Sequence, residues 1–373
     1  NDAGEILRNN FQIISDGNVL DTSNITRVKV VEPEVEVDKL VKASTSDTFT
    51  DSISNIDAQD LVNYSVTFSN PASNDNVSTA FDVEMTDTLP EFLELQSIDS
   101  ISWDDGTTTG TGIGGTLNLV DSSDIANNQI SLAADLLPQD ATVTVNYTAQ
   151  VLSNVTPTLA LENNANVTYT SLPGESGTVD NPTGSNLASA SGADNGERNG
   201  VDPGGTANDY SVSDVAAITT SSFDPVKSIV ETSEASTTGN NLTIGEIARY
   251  RLLVQIPEGN TNNLQISDLL PEGLRYLDDG TSKVALVSDG NLTSDTITDE
   301  DAASTDPSVT PNFDITAVDS ADANTTFESG EDPTFTLGNL TNTDNDTNSE
   351  YVAIEFNAVV ENVVGNQDPG TLD

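Results

Sequence analysis

Two lysines, two aspartates and a pair of asparagines are the residues in this sequence whose types and spacing could do chemistry. Only five lysines occur among 373 residues, and two stand at matching places, Val37-Asp38-Lys39-Leu40-Val41 and Pro225-Val226-Lys227-Ser228-Ile229. Each precedes one copy of a repeated signature, Met85-Thr86-Asp87-Thr88-Leu89-Pro90-Glu91 and Ile266-Ser267-Asp268-Leu269-Leu270-Pro271-Glu272. A signature that recurs in this way marks two copies of one module. A lysine in the core-facing row of a strand must shed its water, which is costly unless the amine is neutral, paired or consumed. Burial disfavours the ammonium form and raises the pKa of a nearby carboxylic acid, so a dry Lys, Asp and Asn cluster can hold a free amine beside a protonated aspartate. The amine can then attack the asparagine side-chain carbonyl while the acid polarises it and shuttles protons; ammonia leaves and an isopeptide bond remains. Residue types alone favour a plainer reading, in which both lysines snorkel outward and both aspartates open a turn before Leu-Pro.

The elements that would position these residues are strands. Strict alternation marks Tyr64 to Phe68, Phe81 to Met85 and Val143 to Tyr147, and in the second half Ala248, Tyr250, Leu252 and Val254, then Tyr351 to Phe356. Gly, Asn, Asp and Pro punctuate the runs, and no amphipathic helix of any length stands out. Many short strands with frequent turns predict an all-β fold of tandem immunoglobulin-like β-sandwich modules. Module 1 is expected over 34–220, with a Gly-, Ser-, Asn- and Asp-rich insertion at 171–209 before a last strand near Tyr210 to Thr219. Module 2 is expected over 221–373, with its own polar insertion at about 278–332.

The module ends differ. In module 1 the run Val143 to Val151 is followed by Leu161-Glu162-Asn163-Asn164-Ala165-Asn166-Val167, a strand with an asparagine pair, whereas in module 2 the run Tyr351 to Val360 is followed only by Gly365 to Asp373. Leu7-Arg8-Asn9-Asn10-Phe11-Gln12-Ile13 matches Leu161 to Val167 in spacing, and Asn24 to Val31 precedes Lys39 as Tyr210 to Thr219 precedes Lys227. Residues 1–33 therefore read as the closing strands of a preceding or adjacent module, and module 2 as one completed by residues 1–33 of the next unit. The chain begins at Asn1 and reads as a mature or internal piece, one period of a repetitive assembly. Either one long polypeptide continues through many units, or separate subunits donate strands to their neighbours.

In these residues the chain resembles the isopeptide-forming repeat modules of bacterial surface and fimbrial proteins, often described as conserved repeat domains. The resemblance rests on the Lys39 and Lys227 strands, the Thr86-Asp87-Thr88-Leu89-Pro90 and Ser267-Asp268-Leu269-Leu270-Pro271 segments, and the Thr243-Ile244-Gly245-Glu246 entry. It also rests on Asn163 to Val167 and on Thr341 to Asp346 before the Tyr351 strand. It implies an autocatalytic triad of Lys39, Asp87 and Asn163, and a second of Lys227 and Asp268 with Asn9 supplied by the adjoining unit. The copies are imperfect: Phe11 stands where module 1 has Ala165, and the spacing in module 2 is longer.

Composition narrows the alternatives. Eleven Lys plus Arg against 61 Asp plus Glu give a net charge of -50, which repels phosphate backbones and anionic membranes, so nucleic acid is not an expected partner. There is no Cys and no His, which removes disulfides, thiol chemistry and the triads and zinc sites that need them. One Trp is too few for the aromatic platforms of a glycosidase cleft, so no enzyme is expected. No apolar run approaches the ~20 residues of a membrane helix. Two oxygen-rich loops could wrap calcium: Asp194, Asn195, Glu197, Asn199 and Asp202 in one, and Asn342, Asp344, Asp346 and Glu350 in the other. Neither follows an EF-hand pattern. The expected function is a structural repeat unit of a secreted bacterial fibre, fimbria-like filament or surface stalk, extracellular, whose partners are copies of itself. The rival is an adhesin binding a glycan or protein through sandwich loops, for which Trp103 is the sole aromatic candidate. A mineral- or ice-facing matrix protein would need an array longer than Thr107 to Thr111.

Overall fold

The computed structural model describes residues 4–73, 75–173, 210–237, 240–298, 304–321, 325–346 and 348–367. The chain divides into two compact units, one of residues 1–53, 60–150 and 161–218, the other of residues 54–59, 151–160 and 219–373.

In the first unit four short strands come first: β1 (Ile6–Asn9), β2 (Gln12–Ser15), β3 (Asn18–Thr22) and β4 (Thr26–Lys29). The sandwich follows, with β5 (Glu36–Ala43), β6 (Ser52–Ile56), β7 (Leu61–Asn70), β8 (Ala80–Thr88), β9 (Leu93–Asp104), β10 (Thr109–Thr111) and β11 (Val120–Asp121). It closes with β12 (Gln129–Leu137), β13 (Ala141–Val151), β14 (Ala160–Thr170) and β15 (Tyr210–Thr220). One sheet has the order β10-β9-β13-β7-β5 and the other β11-β12-β8-β14-β15-β6. Alternation does what it predicts: Val62, Tyr64, Val66 and Phe68 of β7 and Val143, Val145 and Tyr147 of β13 are fully enclosed, as are Met85, Ala165 and Val167 of the other sheet.

The second unit is built from β16 (Asp224–Thr232), β17 (Ile247–Ile256), β18 (Gly259–Ser267), β19 (Leu274–Tyr276), β20 (Lys283–Val287) and β21 (Leu292–Ser294). It continues through β22 (Phe313–Asp314), β23 (Ala317–Asp319), β24 (Pro333–Asn342) and β25 (Glu350–Val360). One sheet runs β16-β17-β25-β20-β22 with β19 also on β25; the other runs β18-β24-β21 with β23 also on β24. Tyr276, Phe335 and Phe356 anchor the core between them. The chain is thus all-β, with immunoglobulin-like sandwiches, as the alternation predicts.

Two local expectations change. The range 278–332 is not a polar insertion throughout, because β20 lies inside it and pairs with β25, burying Val284, Ala285, Leu286 and Val287. Leu7 to Ile13 is not one strand: β1 pairs with β4 and β2 with β3, and the chain passes between them at Asn10 and Phe11. Together these make a nested hairpin whose tip, Asp16-Gly17, holds φ of 49° and 80°, the positive pair that a two-residue turn between right-twisted strands requires.

That hairpin is exposed along every strand, and Ile6, Phe11, Ile13, Ile14, Leu20 and Val28 each show half or more of their surface to solvent. An isolated hairpin is marginal in water without a partner for its apolar side chains.

Candidate functional site

In module 1 the first strand of the sandwich, β5, brings Lys39 inward at the edge of its sheet, opposite Val66 in register. Across the core, β8 and β14 pair so that Ala165 faces Asp87, placing Asn163 two residues further along the same inward row. Lys39, Asp87 and Asn163 are all buried, at 0%, 1% and 0% exposure. The structure therefore brings together the three residues expected to form a triad, contributed by both sheets.

Lys39 Nζ lies 2.6 Å from Asp87 Oδ2. Tyr147 donates its hydroxyl to the same oxygen at 2.5 Å and accepts from Asn163 Nδ2 at 2.8 Å. Its ring stacks on Tyr64, 5.1 Å between centroids, and the Lys39 amine stands over both rings at 5.3 and 5.9 Å. Asp87 Oδ1, Asn163 Oδ1 and the Tyr64 hydroxyl are buried without a hydrogen-bond partner. Burial lowers the Lys39 pKa to about 8, against the opposing pull of Asp87. Burial and the negative charge of Asp87 push the phenols of Tyr147 and Tyr64 upward, so both stay protonated and Tyr147 remains the donor to Asp87. Outside, the Lys39 backbone N–H, free at the sheet edge, donates to Asp214 Oδ2 of β15 at 2.6 Å.

Tyr147 and Tyr64 join the cluster although their sequence positions mark them only as core. Both sit at core-facing positions of strongly alternating strands, where apolar periodicity explains them without reference to their hydroxyls. The signal was present in the register, which sets Tyr147 directly opposite Tyr64.

Module 2 repeats half of this arrangement. Ile229 pairs with Tyr250, and Tyr250 with Phe356, as Val41 pairs with Tyr64 and Tyr64 with Tyr147, so Lys227 occupies the register of Lys39. Lys227 Nζ meets both oxygens of Asp268, at 2.6 and 2.7 Å, and lies 4.4 Å from the Tyr250 ring centre. Two things differ. Phe356 carries no hydroxyl where Tyr147 has one, and among the described residues no strand pairs with the far edge of β18, where module 1 has β14 and β15. Strand β16 is accordingly exposed, with Val226 at 54%, and Leu269 beside Asp268 stands at 76%. Asn9 lies on β1 in the first unit, exposed and opposite Thr26.

The second oxygen-rich loop is also brought together. Asn342 donates to Glu350 Oε2 at 3.2 Å, and the carboxylates of Asp344, Asp346 and Asp289 lie within 4.8 Å of one another. Asp289 comes from the β20–β21 turn, far from Asp344 in sequence, which no local pattern could reveal. The candidate ligands Asp194, Asn195, Glu197, Asn199 and Asp202 lie outside the described residues. Trp103 is not an open platform: its ring lies against Gly110 and Gly115, where an added Cβ would come within 2.2 Å of it. Among the described residues no helix is long and apolar enough to cross a membrane.

Solved structures similar to this chain are pilin and adhesin domains of Gram-positive bacteria. One is the 35 kDa C-terminal fragment of the major pilin GBS80 of Streptococcus agalactiae, 12% identical over 88% of this chain and 82% of that one, TM-score 0.31. Another is a variant of BcpA, the major pilin subunit of Bacillus cereus, 12% identical over 70% and 68%, TM-score 0.33. A third is domains D2 and D3 of the major pilin SpaD of Corynebacterium diphtheriae, 12% identical over 85% and 80%, TM-score 0.29. No family model and no curated protein matches the sequence.

Proposed function

We propose that the chain is a structural repeat unit of a secreted bacterial fibre, fimbria-like filament or surface stalk, held by covalent Lys–Asn cross-links and by strand complementation between units. The observation that carries this reading is the enclosed Lys39, Asp87, Tyr147 and Asn163 cluster, a polar group in a dry core whose unpartnered oxygens have no use in packing alone.

The chemistry follows from the contacts. A proton passes from Lys39 Nζ to Asp87 Oδ2 across 2.6 Å, leaving a neutral amine. The amine attacks Asn163 Cγ; protonated Asp87 donates toward Oδ1, and Tyr147 holds the amide through Nδ2. The C–N bond to Nδ2 breaks and ammonia leaves with the proton from Asp87, Asp87 takes the proton that Nζ gives up as the new bond forms, and the amide Nζ–Cγ remains. The bond joins β5 of one sheet to β14 of the other, so a pull on the module cannot peel its first strand away.

Strand complementation is supported by two complementary pieces: the edge of β18 beside the Lys227–Asp268 pair, which no strand covers among the described residues, and the exposed β1–β4 hairpin carrying Asn9. Two neighbouring strands on that edge are what β14 and β15 supply in module 1. The 39.1 kDa chain, purified and denatured, tests both parts by intact mass. The expected monomer mass lies about 17 Da below that of the sequence, one ammonia per bond, and Lys39→Ala restores it. An unmodified mass would overturn the reading. Covalent multimers of the recombinant chain would place the donor on separate subunits; a longer single polypeptide in native material would place it in a covalent array.

A further inference from the structure

Two connections between the two sheets of module 2 meet at one place. The β20–β21 turn passes from one sheet to the other carrying Asp289, and the β24–β25 loop passes back carrying Asp344 and Asp346, with Glu350 at the first position of β25. We propose that this point is a structural site for a hard divalent cation, calcium by its chemistry, with Asp289, Asp344, Asp346 and Glu350 as carboxylate ligands.

Two independent observations meet here. The first is the grouping of three carboxylates within 4.8 Å. The second is burial without satisfaction: Asp344 and Glu350 are 4% and 3% exposed, and Asp344 Oδ2 and Glu350 Oε1 have no hydrogen-bond partner. The two carboxyls also lie within hydrogen-bonding reach of each other, two acceptors facing with no donor between them. Among the described residues no lysine or arginine pairs with any of the four acids. Two carboxylates buried together need a proton or a cation between them.

The surroundings hold the oxygens in place. Asn291 Nδ2 bridges Asp289 Oδ1 at 2.6 Å and Asp344 Oδ1 at 3.2 Å, while the Asn345 N–H also binds Asp344 Oδ1 at 2.9 Å, leaving Oδ2 as the free face. Ser288 Oγ locks the turn beneath Asp289 by accepting from the N–H groups of Gly290, Asn291 and Leu292. Asn342 sets Glu350 Oε2 from the other side. All-oxygen, irregular, loop-borne coordination suits calcium better than magnesium, which demands a tight octahedron and keeps its water. A cation here would join the two sheets where their crossing loops meet.

The test uses the full chain stripped with EDTA and titrated with calcium chloride alone, against sodium and magnesium chloride at matched ionic strength, reading thermal unfolding and isothermal heats. Calcium is expected to raise the melting temperature by roughly 5–10 °C at a hundredfold excess over Kd. Asp344→Asn and Asp346→Asn should weaken binding on the order of tenfold or more, while exposed Glu84→Gln on β8 leaves it intact. In EDTA, Asp344→Asn should melt at or above the wild-type temperature, since one of the facing charges is gone. A calcium response identical in wild type and Asp344→Asn would overturn the proposal. So would a wild-type melting temperature that calcium does not raise above its value in EDTA.

Discussion

Lys227 meets Asp268 through both carboxylate oxygens, at 2.6 and 2.7 Å, yet 37% of its side chain remains exposed, whereas Lys39 in the equivalent register is wholly enclosed. The difference lies in what covers the pair. Strands β14 and β15 close module 1 over its lysine; the same flank of module 2 is open among the described residues. An ion pair left partly in water contributes little, so the Lys227–Asp268 contact reads as a poised pair more than as a stabilising one.

Removing the acid should separate bond formation from folding. Asp87→Asn is expected to keep the shape of the cluster and to yield the full unmodified monomer mass. Losing the staple between residues 39 and 163 should lower stability by about 5 kcal/mol on a chain-entropy estimate. Denaturant unfolding with mass spectrometry on the same sample measures both.

Tyr147→Phe tests the bridging hydroxyl. It makes module 1 like module 2, where Phe356 stands, and removes one contact to Asp87 and one to Asn163. The cross-link should still form but more slowly, by on the order of 10- to 100-fold, the equivalent of about 1–3 kcal/mol for a lost buried partner. A time course of the ammonia loss after refolding gives the rate.

Lys39 sets a pH dependence of unusual sign for a lysine. Its folded pKa, about 8, lies below the ordinary lysine value of 10.5, so between these values the unfolded chain binds more protons and stability rises with pH. In Asn163→Ala, which keeps amine and acid unlinked, the contribution should be complete above pH 10.5 and lost as the pH falls through 8. Its size is on the order of 3 kcal/mol. Urea unfolding from about pH 7 to about pH 11 reads it, and a flat or falling profile would contradict it.

Lys227→Arg keeps the charge and removes the attacking amine. Any covalent multimers that the recombinant chain forms should vanish while the loss of about 17 Da in module 1 persists. Asn9→Ala should have the same effect if Asn9, and not Asn10, is the partner. A denaturing gel and intact mass distinguish the two asparagines.

On the outer face of module 2, Glu355 is 5% exposed and holds Arg249 and Arg251 at 2.9 Å each. Glu355→Gln would leave two guanidinium groups without a counter-charge in a largely buried setting, though each keeps carbonyl partners, and should cost about 3–5 kcal/mol. The readout is the unfolding of module 2, with module 1 unchanged.

Much of this was legible in the sequence because each feature rested on a local pattern. The alternation of Val143 to Tyr147 gave a strand, and the doubled Asp, Leu-Pro signature located Asp87 and Asp268. What escaped lay in relations between distant segments. Tyr147 looked like core because its ring is core, and only the pairing across the sandwich exposes its hydroxyl to Asp87 and Asn163. Asp289 joined Asp344 through the meeting of two crossing loops. Strand β20 was hidden because its short apolar run, Val284 to Val287, lay within a long polar stretch.

The exposed hairpin and the edge of β18 left open among the described residues are different surfaces, so a contact between them cannot be its own mirror image. Such heterologous contacts propagate in one direction instead of pairing off into dimers. An assembly built on them would be polar, with an unfilled sandwich at one extremity and an unspent hairpin at the other. A peptide of residues 4–30 would then block growth at the first extremity and leave the second untouched.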